Sequence, residues 1–408
     1  MTYEEAKTAL AAIGEEQLLS RFDTLSCDGQ KALLRQIEET DFSCLPLFAA
    51  RGRAAGRGAI APIPAMQLPE IEAHAEEFRE QGLSSLRSGA CAAVLLAGGM
   101  GTRLGCSGPK GVVDIGLTHP VYIFQRLFES IAENAQAAGR PFHFFIMTSE
   151  KNDEETRGFL RKHRFFGYPE EYVHFFRQEM APAVGEDGHV LLEAPGRIAT
   201  SPNGNGGWFV SLLKAGFDRI LQDEQISWLN VFSVDNVLQK ICDPVFLGAV
   251  ISSGCASGSK VIRKANRDER VGVMCLEDGK PSVIEYYEMS EELLDAKDAQ
   301  GDPAYNFGVI LNYLFRIPDL RKIADSSLPV HFAHKAVPCI DGEGKPIRPE
   351  EPNGWKLEYF ILDMVKQLPG CLPFEVVREK EFAPIKAKEG ADSIDTARAL
   401  LVKNGYRL

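Results

Sequence analysis

The chain has 408 residues, enough for two or three domains of ordinary size and for a sizeable hydrophobic core. Apolar residues make up 45% of the sequence and charged residues 25%, which is typical of soluble globular proteins and excludes disordered, collagen-like and disulfide-scaffold classes. The 45 Lys and Arg against 57 Asp and Glu give a net charge of −12, and general binding to nucleic acids or anionic membranes would need a basic surface instead. An anionic ligand would therefore be held by a few local cations and backbone N–H groups.

The cysteines and the first residues favour a cytoplasmic location. The nine cysteines are scattered, with neither a C-x-x-C pair nor a Cys–His spacing that suits a metal, as expected of free thiols in a reducing compartment. The N-terminal stretch M-T-Y-E-E-A-K lacks the basic and apolar regions of a signal peptide. No apolar run approaches the ~20 residues that a membrane-spanning helix needs. We therefore expect no association with membranes or nucleic acids.

The N-terminal part of the chain is predicted to be helical. Apolar residues recur at helical spacing over residues 1–48, and Pro69 suits the first turn of a further helix that extends through residue 78. Residues 49–64 are rich in Ala, Gly, Arg and Pro and predict a linker. Its arginines (Arg51, Arg53 and Arg57) would suit a nucleic-acid arm, but solvated side chains are the commoner case in such a linker.

From residue 91 onward, short apolar runs alternate with helical patterns. The predicted strands are 91–97, 142–147, 172–177 and 228–234, and the predicted helices are 121–138, 154–162, 208–221 and 244–252. Such alternation indicates a mainly parallel sheet with helices on both faces. Three more closely spaced strands, 260–263, 271–276 and 282–287, predict an antiparallel edge. The expected divisions are an N-terminal helical region (1–88), a central α/β domain (89–330) and a small C-terminal domain (331–408).

A glycine-rich loop follows the first of these strands. The sequence L-L-A-G-G-M-G-T-R-L-G (95–105) lacks the Walker pattern, and Leu104 stands where the dinucleotide fingerprint needs its third glycine. Glycines allow backbone N–H groups to approach phosphate oxygens closely. Arg103 and Lys110 add two cations that can offset the charge of a triphosphate. The loop therefore predicts a nucleotide-phosphate site rather than a purely structural turn.

The string L-A-G-G-x-G-T-R-L-G-x-x-x-P-K-G (96–111) resembles the signature of the UDP-sugar pyrophosphorylases, and most closely that of the eukaryotic-type UDP-N-acetylhexosamine pyrophosphorylases. The similarity continues in order through M-T-S-E (147–150), F-F-R-Q-E-M-A-P-A (175–183), P-N-G-N-G-G (202–207), S-V-D-N (233–236), V-G-V (271–273), E-Y-x-E-x-S (285–290), N-G-W-K-L-E (353–358) and E-F-A-P-I-K (381–386). The resemblance implies a Rossmann-like nucleotidyltransferase fold with a mainly parallel mixed sheet. It also implies a Mg²⁺-dependent reaction of UTP with a sugar 1-phosphate, most closely N-acetylglucosamine 1-phosphate, that yields a UDP-sugar and diphosphate.

The resemblance also assigns nucleotide-binding residues. The glycine loop would bind UTP, and a second segment would read uracil; the residues concerned are Leu96, Ala97, Gly98, Gly99, Gly101, Thr102, Gln178, Gly204 and Asn205. Backbone amides and an Asn carboxamide can read a planar heterocycle, although P-N-G-N-G-G also suits a simple turn before a helix. The family usually has Asp where this chain has Asn203.

The expected catalytic and metal residues carry charge. Asp235 follows an apolar strand in a V-D-N sequence that resembles the family's metal-binding motif, and a carboxylate is a suitable ligand for Mg²⁺; a lone Asp there would otherwise cap a turn. Lys386 is implied to lie nearest the reaction, so Arg103, Lys110 and Lys386 form the expected catalytic set. The sugar 1-phosphate is expected to contact Gly272, Glu285, Tyr286, Asn306 and Lys356.

One segment departs from the family pattern where the sugar is expected to bind. Within Y-N-F-G-V-I (305–310), Val309 stands where the family has an Asn that helps to hold the sugar, and Tyr313 replaces an expected His. A Val side chain neither donates nor accepts hydrogen bonds, so the contact is either lost or supplied by Asn306 or Asn312. The alternative enzyme is therefore a UDP-glucose or broad-specificity UDP-sugar pyrophosphorylase. The alternative of another class is a non-catalytic nucleotide-sugar sensor.

Overall fold

A computed structural model describes residues 1–49, 57–324 and 328–408. The described residues form two compact units, each assembled from separate stretches of the chain. The first unit comprises the described parts of Met1–Gly56, Gln178–Gly207 and Leu328–Ile361. The second comprises those of Arg57–Arg177, Trp208–Ser327 and Leu362–Leu408.

The described residues contain α-helices throughout the chain. They are α1 Tyr3–Ala11, α2 Cys27–Glu39, α3 Leu45–Ala49, α4 Leu68–Ala73, α5 Ala75–Arg87, α6 Ile123–Ala138, α7 Asp153–Lys162, α8 Trp208–Lys214, α9 Asp218–Asp223, α10 Pro244–Ser253, α11 Glu291–Asp295, α12 Ile317–Ala324, α13 Ile361–Gln367, α14 Arg378–Glu381 and α15 Ile394–Lys403. Within the part of the chain that the structure describes, no helix has the length and apolar character needed to cross a membrane.

The strands are β1 Ile60–Pro62, β2 Cys91–Leu96, β3 Phe144–Thr148, β4 Val173–Arg177, β5 Met180–Pro182, β6 Val184–Gly185, β7 Leu192–Ala194, β8 Arg197–Ile198, β9 Thr200–Pro202, β10 Trp228–Ser233, β11 Ser257–Arg263, β12 Val273–Glu277, β13 Lys280–Ile284, β14 Phe307–Arg316, β15 His331–Lys335, β16 Cys339–Ile340, β17 Pro346–Ile347, β18 Gly354–Glu358 and β19 Cys371–Glu375. Short 3₁₀ helices include Thr102–Leu104, Lys110–Val112 and Tyr286–Glu288.

A large central sheet organises the second unit and confirms the predicted α/β class. Its order is β1-β12-β14-β10-β2-β3-β4, with β11 and β13 attached through β14 and β12. The run β10-β2-β3-β4 is parallel, and every residue of β2 and β3 is buried, as expected of strands with helices on both faces. The predicted antiparallel edge is confirmed for β12 and β13. The strand β11 instead lies between β14 and β19 and is parallel to β19.

The first unit has a separate core and a smaller sheet. Its sheet has the order β15-β18-β6, and all of its pairs are antiparallel. Apolar residues of α1 and α2 pack in one cluster with residues from the other two stretches of this unit; examples are Leu10, Ile37, Val184 and Leu357. These three stretches are distant in sequence, so the core of this unit is formed by long-range contacts.

Several local predictions differ from the structure. The predicted helix 208–221 is two helices, α8 and α9, since Gly216 between them has φ +84°. The ten-residue strand β14 was not predicted. Residues 331–408 do not form one small domain, because β15 and β18 pair within the first unit while β19 joins the central sheet. The predicted boundaries at 88 and 330 therefore do not coincide with the two units.

Of the predicted linker, residue 49 and residues 57–64 belong to the described part of the chain. Arg51 and Arg53 lie outside the described residues. Residues 60–62 form β1, which pairs with β12. Arg57 donates a hydrogen bond to the carboxylate of Glu288 at 2.7 Å, so this arginine takes part in an internal ion pair.

Candidate active site

The glycine loop lies at the carboxyl edge of the central sheet, where α/β proteins bind ligands. After β2 ends, the N–H of Gly101 donates to the oxygen of Gly108 at 2.8 Å, and the N–H of Lys110 donates to the oxygen of Gly99 at 3.2 Å. These bonds close the loop on itself and place the backbone of Lys110 next to that of Gly99. Arg103 lies exposed in the 3₁₀ helix Thr102–Leu104.

The residue that supports this loop, Asn152, was missed in the sequence. Its side chain is 0% exposed and donates to the oxygens of Ala97 at 2.9 Å and Gly99 at 3.3 Å. Its carboxamide oxygen accepts a hydrogen bond from the N–H of Ser149 at 2.8 Å. Asn152 follows the end of β3, the strand next to β2, and is the second residue after the M-T-S-E motif. This position, shortly after a strand that neighbours β2, is the feature of the sequence from which a role for Asn152 beside the glycine loop could have been predicted.

Asp235 and Lys386 are brought together by backbone pairing. Ser233, the last residue of β10, pairs with Leu96, so Asp235 and the glycine loop follow neighbouring strand ends. The main-chain oxygen of Asp235 accepts a hydrogen bond from Ile385 N at 2.9 Å. Lys386 therefore follows directly after a residue that is bonded to Asp235. The Lys386 ammonium also pairs with Asp392 at 2.9 Å.

The electrostatics of Lys110 show that the predicted charged residues act on one another. Burial lowers the pKa of Lys110 below its ordinary value; the charge of Asp235 opposes this shift, whereas Lys386 and Arg103 add to it. Three cations thus act near the glycine loop together with Asp235 and Asp392, the carboxylate that pairs with Lys386. The group carries net positive charge and is suited to a polyanion.

The predicted sugar residues of the second unit also adjoin this edge. Because β14 runs antiparallel to β10, it begins where β10 ends. The N–H of Val309 donates to the oxygen of Gly272 at 2.8 Å. A Cβ on Gly272 would lie 3.3 Å from a carboxylate oxygen of Glu285, so Gly272, Glu285 and Val309 are neighbours. Tyr286 begins the following 3₁₀ helix and is 43% exposed.

The two asparagines proposed to replace the missing contact are both engaged with the protein. The Asn312 side chain is 0% exposed, accepts from Asn230 Nδ2 at 2.8 Å and donates to the oxygen of Lys240 at 3.3 Å. It is therefore a structural residue. The carboxamide oxygen of Asn306 accepts from the N–H of Lys264 at 3.0 Å, yet the residue stays partly exposed. Tyr313 is fully buried.

The predicted uracil segment lies in the first unit. Glu179, next to Gln178, accepts a hydrogen bond from the N–H of Asn203 at 3.0 Å, which places Gln178 beside the P-N-G-N-G-G loop. Gly204 has φ +85°, and a Cβ there would lie 2.3 Å from the oxygen of Tyr359, so glycine is required.

Two other predicted residues of this unit have structural surroundings. The carboxamide oxygen of Asn205 accepts from the N–H of Ile361 at 3.0 Å, so this oxygen supports the loop. Lys356 is half-buried in β18, opposite Ala333 of β15.

Comparison with known proteins identifies the family of the chain. A family model described as UTP–glucose-1-phosphate uridylyltransferase matches residues 59–404. The chain belongs to this family. It is 35% identical over 97% of its length to the "UDP-N-acetylhexosamine pyrophosphorylase-like protein 1" of Xenopus tropicalis, covering 82% of that protein. It is 33% identical over 98% of its length to the UDP-N-acetylglucosamine pyrophosphorylase of Saccharomyces cerevisiae, covering 90%.

A solved structure extends the comparison to the fold of this uridylyltransferase family. The uridine diphosphate N-acetylglucosamine pyrophosphorylase of Trypanosoma brucei superimposes with a TM-score of 0.84, covering 98% of this chain and 84% of that chain at 27% identity. The predicted nucleotidyltransferase fold is confirmed. The predicted UDP-sugar pyrophosphorylase class, hence uridylyltransferase activity, is likewise confirmed by the family.

Proposed function

We propose that the protein is a Mg²⁺-dependent uridylyltransferase that joins UTP to N-acetylglucosamine 1-phosphate and releases diphosphate. The observation that carries this proposal is the placement of Lys386 next to Asp235 by the bond from Ile385 N to the Asp235 oxygen, at the strand end beside the glycine loop that holds Lys110. The relatives named for N-acetylglucosamine or N-acetylhexosamine support the choice of acceptor.

The chemistry needs charge neutralisation more than proton transfer. The attacking phosphate oxygen of a sugar 1-phosphate is already anionic at neutral pH, so no general base is required. The reaction requires in-line placement of the two phosphates and stabilisation of the charge on the α-phosphate and on the departing diphosphate. Arg103, Lys110 and Lys386 would supply that positive charge. Removing a single such group typically costs ~10²–10³ in rate.

The donor set fits a metal ion that is shared with substrate. Within residues 1–49, 57–324 and 328–408, no group of three or more His, Cys, Asp or Glu could hold a metal by itself. Mg²⁺ commonly uses one or two carboxylates together with substrate phosphates. Asp235, half-buried at a strand end beside Lys110, would hold it. When bound, the ion would neutralise phosphate charge.

The uracil ring of UTP is proposed to bind to residues of the first unit. Gln178 can offer both a donor and an acceptor to the imide edge of a pyrimidine, and Gly204 exposes backbone beside it. Asn205 contributes less than expected, since its oxygen bonds Ile361. UTP should therefore be used in preference to ATP or GTP, and equal turnover with ATP would contradict the assignment. Lys356 is proposed to neutralise a phosphate of the sugar substrate.

Val309 favours a second candidate, a broad-specificity UDP-sugar pyrophosphorylase. Its side chain is only partly buried, and Asn312 is committed to Asn230 and Lys240. The acceptor site thus has less hydrogen-bonding capacity than the family pattern has. A nucleotide-sugar sensor is disfavoured, because a sensor would have no need to retain all the charges of Arg103, Lys110, Asp235 and Lys386.

Diphosphate release measured with UTP and a panel of sugar 1-phosphates tests these alternatives. Release with N-acetylglucosamine 1-phosphate alone supports the first proposal, and comparable rates with glucose 1-phosphate support the second. Binding of UDP-sugars without any release would indicate the sensor. The variant Lys386→Ala serves as the low-activity control.

We also propose that the protein works in the cytoplasm. All nine cysteines are free thiols, and most are buried. This pattern is typical of proteins kept in a reducing compartment. Detection of the tagged protein in a secretory compartment would contradict the proposal.

A further inference from the structure

A lysine is completely buried behind the catalytic edge of the second unit. Lys260, in β11, is 0% exposed, and its ammonium lies 2.7 Å from Asp243 Oδ2 and 2.5 Å from Glu381 Oε2. The other oxygen of Glu381 pairs with Lys240 at 3.2 Å. Asp243 and Glu381 are 7% and 6% exposed. We refer to Lys260, Asp243, Glu381 and Lys240 as the Lys260 cluster.

The cluster joins the two chain segments that carry Asp235 and Lys386. Asp243 lies a short way beyond Asp235 and also caps α10 through the N–H of Val245 at 3.0 Å. Glu381 is the first residue of the E-F-A-P-I-K motif, which ends at Lys386. One buried ammonium from a third element therefore connects both segments.

Asn236 adds hydrogen bonds between the same two segments. Its side chain, 2% exposed, donates to the oxygen of Glu381 at 2.7 Å and accepts from the N–H of Ala383 at 2.9 Å. The segment before Lys386 is thus held by a buried charge at its start and by backbone bonds along its length.

A contribution to the folding stability of the protein does not by itself explain why these charged residues are buried together. Desolvation offsets most of the attraction between buried charges, and replacing an entire buried ionic group with neutral residues of similar volume is often harmless to stability. What a fully paired buried network does provide is a defined geometry. Asp243 fits this description: burial raises its pKa, but the charges of Lys260 and Lys240 outweigh that effect and lower it.

We propose that the Lys260 cluster is a positioning device that fixes Lys386 relative to Asp235 for the transfer step. The proposal rests on the proposed function, in which Lys386 stabilises charge in the transition state. Lys260, Asp243 and Glu381 are then positioning residues that act through Lys386. Because that interaction is made mainly in the transition state, the effect should fall on kcat and spare the KM for UTP.

The test removes the cluster's buried charges and compares two backgrounds. The triple variant Lys260→Met, Asp243→Asn and Glu381→Gln leaves no unpaired charge at these three sites, and Asn retains the helix cap. In the otherwise unchanged protein we expect kcat to fall ~10–100-fold, with the KM for UTP little changed. In a Lys386→Ala background the same triple change should leave the remaining kcat unaltered, because its target is gone.

A general loss of structure would give a different result. Equal losses of kcat in both backgrounds, or no loss in either, would overturn the proposal. If the triple variant does not fold by circular dichroism, the double variant Lys260→Met and Asp243→Asn, which leaves Glu381 paired with Lys240, replaces it in the same two-background comparison. An unchanged protein that releases no diphosphate would instead contradict the proposed function, so the two failures are distinguishable.

A matched control lies at the opposite edge of the same sheet. Asp319 is 2% exposed and pairs with Arg316 at 2.5 Å and Lys322 at 2.8 Å, close to the end of β14 that is away from the glycine loop. The variant Asp319→Asn should lower the melting temperature without lowering kcat. A loss of kcat in this control as large as in the triple variant would also overturn the proposal.

Discussion

The main-chain oxygen of Asp235 accepts a hydrogen bond from Ile385, the residue before Lys386, at 2.9 Å. This bond does not use the Asp235 carboxylate, so the variant Asp235→Asn can retain it. We expect that variant to fold normally and to lose ~10²–10³ in kcat at ordinary Mg²⁺ concentrations, with partial recovery at higher Mg²⁺. A Mg²⁺ titration of diphosphate release measures this. The exposed Asp395→Asn is the control, and full activity of Asp235→Asn at low Mg²⁺ would exclude Asp235 from the metal site.

The lowered pKa of Lys110 leads us to expect that activity declines at alkaline pH. Burial lowers its pKa below the ordinary 10.5, Asp235 opposes the shift, and Lys386 and Arg103 add to it. The charged form exists below the pKa and is lost as the pH rises through it, so kcat/KM for UTP should decline at a lower pH than for an ordinary lysine. Lys110→Arg should move this decline to higher pH, because Arg stays protonated. An unchanged decline in Lys110→Arg would assign it to another group.

Selectivity for the sugar should depend on Val309. A hydrogen-bonding site rejects an analogue that lacks the matching group by ~10⁴, whereas an apolar pocket reaches ~10². We expect the unchanged protein to discriminate weakly between N-acetylglucosamine, glucose and galactosamine-type 1-phosphates, and Val309→Asn to sharpen selectivity. The bond from Val309 N to Gly272 does not depend on the side chain. The KM for UTP should therefore stay constant.

The ratio of kcat/KM values across the sugar panel measures that change. Val402→Asn, at a 53% exposed position of α15, is the matched control and should leave the ratio unaltered. A ratio near ~10⁴ in the unchanged protein would show that another residue supplies the contact, with the partly exposed Asn306 as the first to test. A change in UTP affinity instead would place this segment outside the sugar site.

A histidine pair predicts acid sensitivity. His143 Nδ1 lies 2.8 Å from His174 Nε2, burial lowers the pKa of both rings, and that of His174 falls to about 4 through burial and the neighbouring His143. An unfolded histidine takes up its proton near pH 6.5, which the folded pair resists. The folded state therefore loses stability as the pH falls from 6.5 toward 4.

Replacing one ring should remove much of this effect. His174 contacts the rings of Phe145 and Phe217, so His174→Phe suits its surroundings. Urea denaturation at several pH values should show a smaller acid loss for His174→Phe than for the unchanged protein, whereas the exposed His119→Gln should behave like the unchanged protein. Identical acid losses in the first comparison would contradict the assignment.

Most residues of the proposed catalytic edge were predictable, because they follow strong local patterns. The buried run of β2 is apolar and that of β10 is apolar apart from Asn230 and Ser233, and Gly98 and Asp235 come soon after their ends. Lys386 could be assigned only through family resemblance, since its position depends on bonds from Asn236 and Asp235. Lys260 was not singled out, because a lysine in a short sequence run is normally exposed.

Other errors have a common cause in long-range pairing. The strand β14 has a register shift opposite Lys260 and a left-handed residue, Leu311 at φ +52°, so its pattern is not a simple alternation. The division into units was also misjudged, since the contacts between Leu10, Val184 and Leu357 cannot be seen in any local window. Local periodicity predicts elements better than it predicts their partners.

The discontinuity of the first unit has a consequence during synthesis on the ribosome. Its core needs residues near the N-terminus together with Leu357, so α1 and α2 emerge long before their last partners do. At a synthesis rate of ~5–20 residues per second, the apolar faces of α1 and α2 remain without their native packing partners for many seconds. In chains halted before Leu357, α1 and α2 should therefore remain accessible to proteases and to chaperones that bind apolar segments. Both helices should become protected from proteolysis only after the whole first unit has been synthesised.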